Sequence, residues 1–228
     1  MSEARIIYDR PASEYYADPA IGGTALRDAL RPPLPLGARH LDPARASQGG
    51  PAMRLGTLAH LAILEPERWE SETILAPSVD RRTKAGKETW AAFLAEAAGK
   101  EIVSAEDAAI VESIAAAVRG HRGARALLHE AATEVSLEWR DDATGMRCKG
   151  RMDAVAKHDD VIIDLKTCQD ASPASFTRAI ANFGYHIQAA HYIDGYEAAT
   201  GVRPRAYIWI AVESSAPHGV AVYAADLG

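Results

Sequence analysis

The 228-residue chain carries 25 Lys and Arg against 31 Asp and Glu, a formal net charge of −6, with 48% hydrophobic and 25% charged residues. That length buries a full core and suits one mixed domain, while the acidic balance argues against blanket binding of nucleic acid and leaves room for a focused basic groove. With no run of 18 apolar residues and no basic leader ahead of an apolar stretch, neither a membrane span nor secretion is indicated, and a cytoplasmic location is expected.

Residues 1–50 read as an irregular, helix-poor segment anchored by Tyr15, Tyr16, Leu26 and Leu30. A short helix is predicted over Gly23–Ala29, then a loop rich in Pro, Arg and Gly from Arg31 to Gly50. Residues 51–130 are mainly helical. Ala52 to Leu64 is a helix stopped by the Glu65-Pro66 step, and Gly56, His60 and Leu64 share one line of it. His60 there is either a core histidine bonded to a carbonyl or a ligand, and Arg54 is placed for an anionic partner. Asp80 to Lys87 holds a basic patch of Arg81, Arg82, Lys84 and Lys87, and Lys84 to Ala98 continues as an Ala-rich helix with Trp90, Phe93 and Leu94 inward. Ser104-x-x-Asp107 starts a helix through Val118, whose buried stripe is Ile110, Ile114, Ala117 and Val118. Arg119, Arg122 and Arg125 form a second basic patch.

Residues 131–228 change character to a sheet core. Val135, Leu137 and Trp139 alternate with Glu134, Ser136 and Glu138 as a half-buried strand. A turn at Asp141–Gly145 folds Met146–Ala156 back as a hairpin, and His158-Asp159-Asp160 is another turn. The run Val161-Ile162-Ile163-Asp164-Leu165-Lys166-Thr167 then reads as a buried strand that ends in charge. Three consecutive antiparallel strands bring Glu134, Asp153 and Asp164 within reach of one another. Pro173–Asn182 and Tyr185–Thr200 are helices, the second strongly patterned, and Ala206–Val212 and Val220–Ala224 are strands that add to the sheet. Cys148 and Cys168 fall short of the four soft ligands of a zinc or iron–sulfur site.

Asp164 and Lys166 leave the same face of their strand, so one strand presents a carboxylate, a peptide carbonyl and an ammonium together. A hard divalent cation takes the first two as oxygen ligands, and the ammonium orients a water. Asp-x-Lys alone is equally a structural ion pair at a strand end. Asp153 follows a glycine, Gly150, that admits a close neighbour, and Gln188 and Tyr192 share a helix face that Tyr185 extends.

The ordered set of a helical His60, then Asp153, then Asp164-x-Lys166, then Gln188-x-x-x-Tyr192 resembles the PD-(D/E)xK nuclease superfamily, and within it the RecB-like branch. The fragments Leu55-Gly56-Thr57-Leu58-Ala59-His60, Lys149-Gly150-Arg151-Met152-Asp153 and Asn182-Phe183-Gly184-Tyr185-His186-Ile187-Gln188 resemble the RecE-type exonuclease of phages and prophages, exonuclease VIII-like. The likeness runs from about Tyr15 to the end of the chain, and two cysteines exclude the iron–sulfur subgroup. It implies an α/β (α+β) restriction-endonuclease-like core, a central mixed sheet with an antiparallel meander flanked by helices.

By the same resemblance His60, Asp153, Asp164 and the Leu165 carbonyl would bind Mg²⁺ or Mn²⁺, with Glu134 supplying or orienting ligands for a second ion. Lys166 would hold and activate the attacking water, while Gln188 and Tyr192 orient Lys166 or the phosphate. Arg54, Lys149, Arg151 and Tyr185 are the expected DNA contacts, phosphate for the first three. The implied activity is resection of duplex DNA from 5′ ends, by a homo-oligomer beside a single-strand annealing partner, in recombination. An endonuclease on the same scaffold and a silent DNA-binding or partner-binding module are the alternatives.

Overall fold

The computed structural model describes residues 4–29, 50–156 and 160–226. The loop expected over 31–49 and the turn residues 158 and 159 lie outside the described residues. Two antiparallel strands, β4 (Ala132–Arg140) and β5 (Arg147–Ala156), form the predicted hairpin, closed by Asp141, whose carboxylate accepts from the Thr144 amide at 2.8 Å. β6 (Val161–Cys168) pairs with β5 for three residues only, Ala154 to Ala156 against Ile163 to Val161. Along its whole length β6 pairs in parallel with β7 (Ala206–Glu213), and β8 (Val220–Ala224) returns antiparallel on β7.

A parallel neighbour requires a long crossover. It is supplied by α8 (Pro173–Phe183) and α9 (Tyr185–Thr200), joined at Gly184. The resulting six-stranded sheet has the order β1-β4-β5-β6-β7-β8, mixed as expected. Its first strand, β1 (Arg5–Ile7), and the short helix α1 (Ala12–Ala17) fall inside the segment expected to be irregular. β1 is too short to show a period, and it is fixed by partners far away in sequence: Arg5 donates to Glu138 at 2.7 Å.

The predicted helix α2 spans Gly23–Ala29. One face of the sheet is covered by α8 and α9, which bury Phe176, Ala189, Tyr192 and Ile193 against Leu137, Met152 and Ile162. α9 is buried on several sides, so its sequence lacks the single stripe that its patterning suggested. The other face is covered by α3 (Pro51–Leu64), α6 (Ala105–Gly120) and α7 (Arg122–Leu128), which pack Ala59, Leu64, Ile114 and Val118 on Ile163, Leu165 and Ile210.

Behind α3 and α6 a smaller cluster joins Leu58, Trp69, Val103 and Val111. It is closed by α4 (Pro66–Glu72) and by the two-stranded parallel pair β2 (Thr73–Leu75) and β3 (Glu101–Val103), with α5 (Lys84–Glu96) between those strands. The expected cap is present, Ser104 accepting from the Asp107 amide at 3.0 Å. No helix among the described residues is long and apolar enough to cross a membrane.

Candidate functional site

The site lies where β5 and β6 part. In their register the pair after Ala154 and Ile163 would be Asp153 with Asp164, but the backbone ladder stops one step short. Asp153 instead accepts the Leu165 amide on its Oδ2 at 2.7 Å, so a side chain replaces the missing backbone bond. The same gap appears on the other side of β5, where the β4 ladder skips Glu134 and Asp153. Glu134 has φ of 53°, a left-handed value rare for a residue with a side chain and costing about 1–3 kcal/mol. A strand interior holds such a residue only where its surroundings fix it, and here its carboxylate is bonded by Arg151.

A parted sheet lets groups from both faces share one space. From the α3 side, His60 places Nδ1 3.6 Å from Asp153 Oδ2. One ligand atom each from His60, Glu134 and Asp153 lies within 4.8 Å of the others. From the α9 side come Asp164 and Lys166, paired at 2.5 Å. Gln188 donates to Asp164 at 3.4 Å and to the Tyr192 hydroxyl at 3.2 Å. The Tyr185 ring lies 5.0 Å from Lys166 Nζ. The close neighbour that Gly150 admits is the Tyr192 ring, which a Cβ there would meet at 3.0 Å.

The electrostatics fit a cation. Burial pushes the carboxyls of Asp153, Asp164 and Glu134 above their ordinary pKa, against the opposing pull of Lys166 on the two aspartates and of Arg151 on Glu134. Burial works against the Lys166 charge too, but the Asp164 and Asp153 carboxylates outweigh it and hold its pKa above the usual value. Burial, then Lys166, lower His60 to about 4. At neutral pH its imidazole is therefore uncharged, the form that binds metals. One neutral nitrogen, a carbonyl and desolvated carboxylates in excess of cations are a donor set for a divalent ion. A cavity of about 450 Å³, lined in part by Glu134, Arg151, Glu65 and Arg68, opens alongside.

The structure arranges the expected residues in two groups rather than one. His60, Asp153 and Glu134 converge, whereas Asp164 stands with Lys166 and is outside the three-residue cluster. The residues expected on DNA phosphate are turned to internal partners. Arg54 binds Glu101 at 2.8 Å, Asp107 at 3.0 Å and the Ile102 carbonyl at 2.7 Å. Lys149 donates to the carbonyls of Tyr15 and Asp18, both at 2.7 Å, and Arg151 to Glu134 and the Arg10 carbonyl. The sequence shows a basic residue but not the acceptor that folding delivers to it. One buried phenol went unread: Tyr207 on β7 is pushed well above its ordinary pKa by burial and then by Asp164, and its place in an apolar strand gave no sign of that.

Comparison with known proteins places these features in a family. Residues 38–227 match a family described as a PDDEXK-like domain of unknown function, DUF3799. No protein with a curated description matches. Among solved structures, a candidate exonuclease from Eubacterium rectale superposes with TM-score 0.63 at 13% identity, over 96% of this chain and 79% of that one. At that identity the likeness is one of fold. SSO0001 matches with TM-score 0.33 and 18% identity, over 78% of this chain and 79% of that one, too distant to argue from. With its parted strands and mixed sheet, the chain belongs to the DUF3799 family of PDDEXK-like domains.

Proposed function

We propose that the protein is a metal-dependent deoxyribonuclease acting on DNA ends, an exonuclease of the RecE type that resects duplex DNA from 5′ ends. The observation that carries this reading is the parted pair of strands, which gathers His60, Glu134 and Asp153 on one side and Asp164 with Lys166 on the other. His60, Asp153, Glu134 and Asp164, with the Leu165 carbonyl, would hold Mg²⁺ or Mn²⁺; a bound ion supplies positive charge to a phosphoryl oxygen. Lys166, kept charged by the two acids, donates to a nonbridging phosphate oxygen or holds the water that attacks phosphorus in line. Gln188 fixes Asp164, and Tyr192 fixes Gln188. As water bonds to phosphorus and gives up a proton, the P–O bond to the leaving sugar oxygen breaks and that oxygen takes one up.

The candidate exonuclease of the same fold is consistent with this reading. A homo-oligomer working beside a single-strand annealing protein in phage-type recombination belongs to the same proposal. The deciding experiment is digestion of an end-labelled linear duplex, with 5′ phosphate or 5′ hydroxyl, in Mg²⁺, Mn²⁺ and EDTA, next to a closed circle. Metal-dependent release from the linear 5′ end with the circle spared is expected. Cutting of the circle would make it an endonuclease, and no hydrolysis in either metal would reject the assignment.

A further inference from the structure

Among the described residues the exposed aromatic side chains are Tyr8, Tyr16 and Phe183, at 55%, 76% and 55%. Two of them are linked to the parted strands through one neighbouring ring each. Phe183 ends α8, and its ring centroid is 5.7 Å from that of Tyr185, which in turn lies against Lys166. Its backbone is held: Gly184 turns the corner with φ of 67°, a Cβ there would meet Arg27 Cγ at 2.9 Å, and Arg27 donates to the Phe183 carbonyl at 3.3 Å.

On the opposite side Tyr16 follows Tyr15, their rings edge to face at 5.4 Å. Tyr15 is fixed under the cations of Lys149, at 4.6 Å, and of Arg10 and Arg151, both at 5.7 Å. Arg151 continues to Glu134. Tyr16 is thereby linked to the metal-ligand cluster through two residues, Tyr15 and Arg151, to Glu134. Each exposed ring is thus mounted on a residue that touches the site, Phe183 on Tyr185, which lies against Lys166, and Tyr16 on Tyr15, which lies against Arg151.

The cations expected on phosphate, Arg54, Lys149 and Arg151, are each bonded to internal acceptors. Exposed rings offer a different means of attachment: the face of any unpaired base stacks on them without regard to sequence. A base inside a duplex already spends both faces on its neighbours and cannot do so. We propose that the site takes an unpaired strand, with the bases on either side of the scissile phosphate stacked on Phe183 and Tyr16. The inference rests on the nuclease reading and narrows its substrate: at a duplex end, the terminal nucleotides part from their complement before they reach Lys166.

The test is binding of a single-stranded oligonucleotide containing 2-aminopurine, with Ca²⁺ in place of Mg²⁺, followed by the fluorescence of the base analogue. Wild type is expected to quench it, Phe183→Ala and Tyr16→Ala each to weaken binding about tenfold, and Phe183→Trp to retain it. An abasic strand of the same length should bind wild type no better than the alanine variants bind the intact one. Both side chains are exposed, so the variants should melt at the wild-type temperature; a variant that does not is replaced by Phe183→Leu or Tyr16→Leu. Equal binding of intact and abasic strands, unchanged affinity in the variants, tighter binding of blunt duplex, or no binding at all overturns the proposal. If the rings quench as expected but no nucleic acid is cut in Mg²⁺ or Mn²⁺, the nuclease reading falls and the stacking site stands.

Discussion

The two halves of the β5–β6 pair are made from the same strands and behave oppositely. At the closed end, Ala154 to Ala156 meet Val161 to Ile163 through an unbroken ladder, and the side chains there are apolar and, except for the half-buried Ala156, buried. At the open end, one step on, the ladder stops and the neighbours are Asp153, Asp164 and Lys166. Apolar burial gains about 25 cal/mol per Å² and needs no charged partner, so the closed end is held by its ladder and by packing. Buried charge costs several kcal/mol per ion unless it is matched, so the open end persists because its groups are pinned by the closed one. Stability is concentrated at one end of the pair, and chemistry at the other.

Substitutions at the two ends should therefore fail in different ways. The largest effect is expected at Lys166. Lys166→Ala removes the one cation shared by Asp153 and Asp164 and should reduce hydrolysis of a labelled duplex to background, at least about a thousandfold, while a gel-shift titration shows DNA affinity little changed. An unaltered rate would mean that the open end is only a structural ion pair. Next is the closed end. Ile163→Ala empties a site between Ala154 and Ile208 that is wholly buried, and urea denaturation should record a loss of about 2–5 kcal/mol, with the metal affinity of the remaining folded protein unchanged.

Glu134→Gln sharpens the contrast further, because it keeps the shape and the Arg151 partner and removes only charge. Mn²⁺ affinity by titration calorimetry should fall about 10- to 100-fold. No change would restrict the ligands to His60, Asp153, Asp164 and the Leu165 carbonyl.

How much of this could be read beforehand differs between the same two ends. Strand alternation is a local signal, so the β4–β5 hairpin, β6 and the shared face of Asp164 and Lys166 were legible from Val135, Leu137, Trp139 and the run from Val161 to Ile163. The point where two strands separate is not local. Nothing in the sequence around Glu134 announces φ of 53°, since that conformation is imposed by Arg151 and by the break opposite Asp153. The two helices predicted between β6 and β7 left room for a parallel pair in the expected mixed sheet, but the residues alone did not assign it to these two strands. β1 and α1 were missed for want of length: three and six residues carry no period, and their positions are set by Glu138, Lys149 and Arg151.

Arg54 gives the smallest expected effect and divides a structural tie from a DNA contact. It sits about one and two-thirds turns before His60 on α3, where a basic residue near a phosphate site invites a phosphate role. In the fold its guanidinium spans Glu101 on β3 and Asp107 on α6, holding the start of α3 to the small cluster behind it. All three side chains are more than a third exposed, so the tie is worth only about 0.5–1 kcal/mol. Arg54→Ala should lower the melting temperature by a few degrees at low salt and less at high salt. The dependence of DNA affinity on salt concentration should keep its slope. A residue that neutralised one phosphate would reduce that slope by about one when removed. A shallower slope with an unchanged melting temperature would therefore return Arg54 to the DNA, and with it the open end of the sheet would extend along α3.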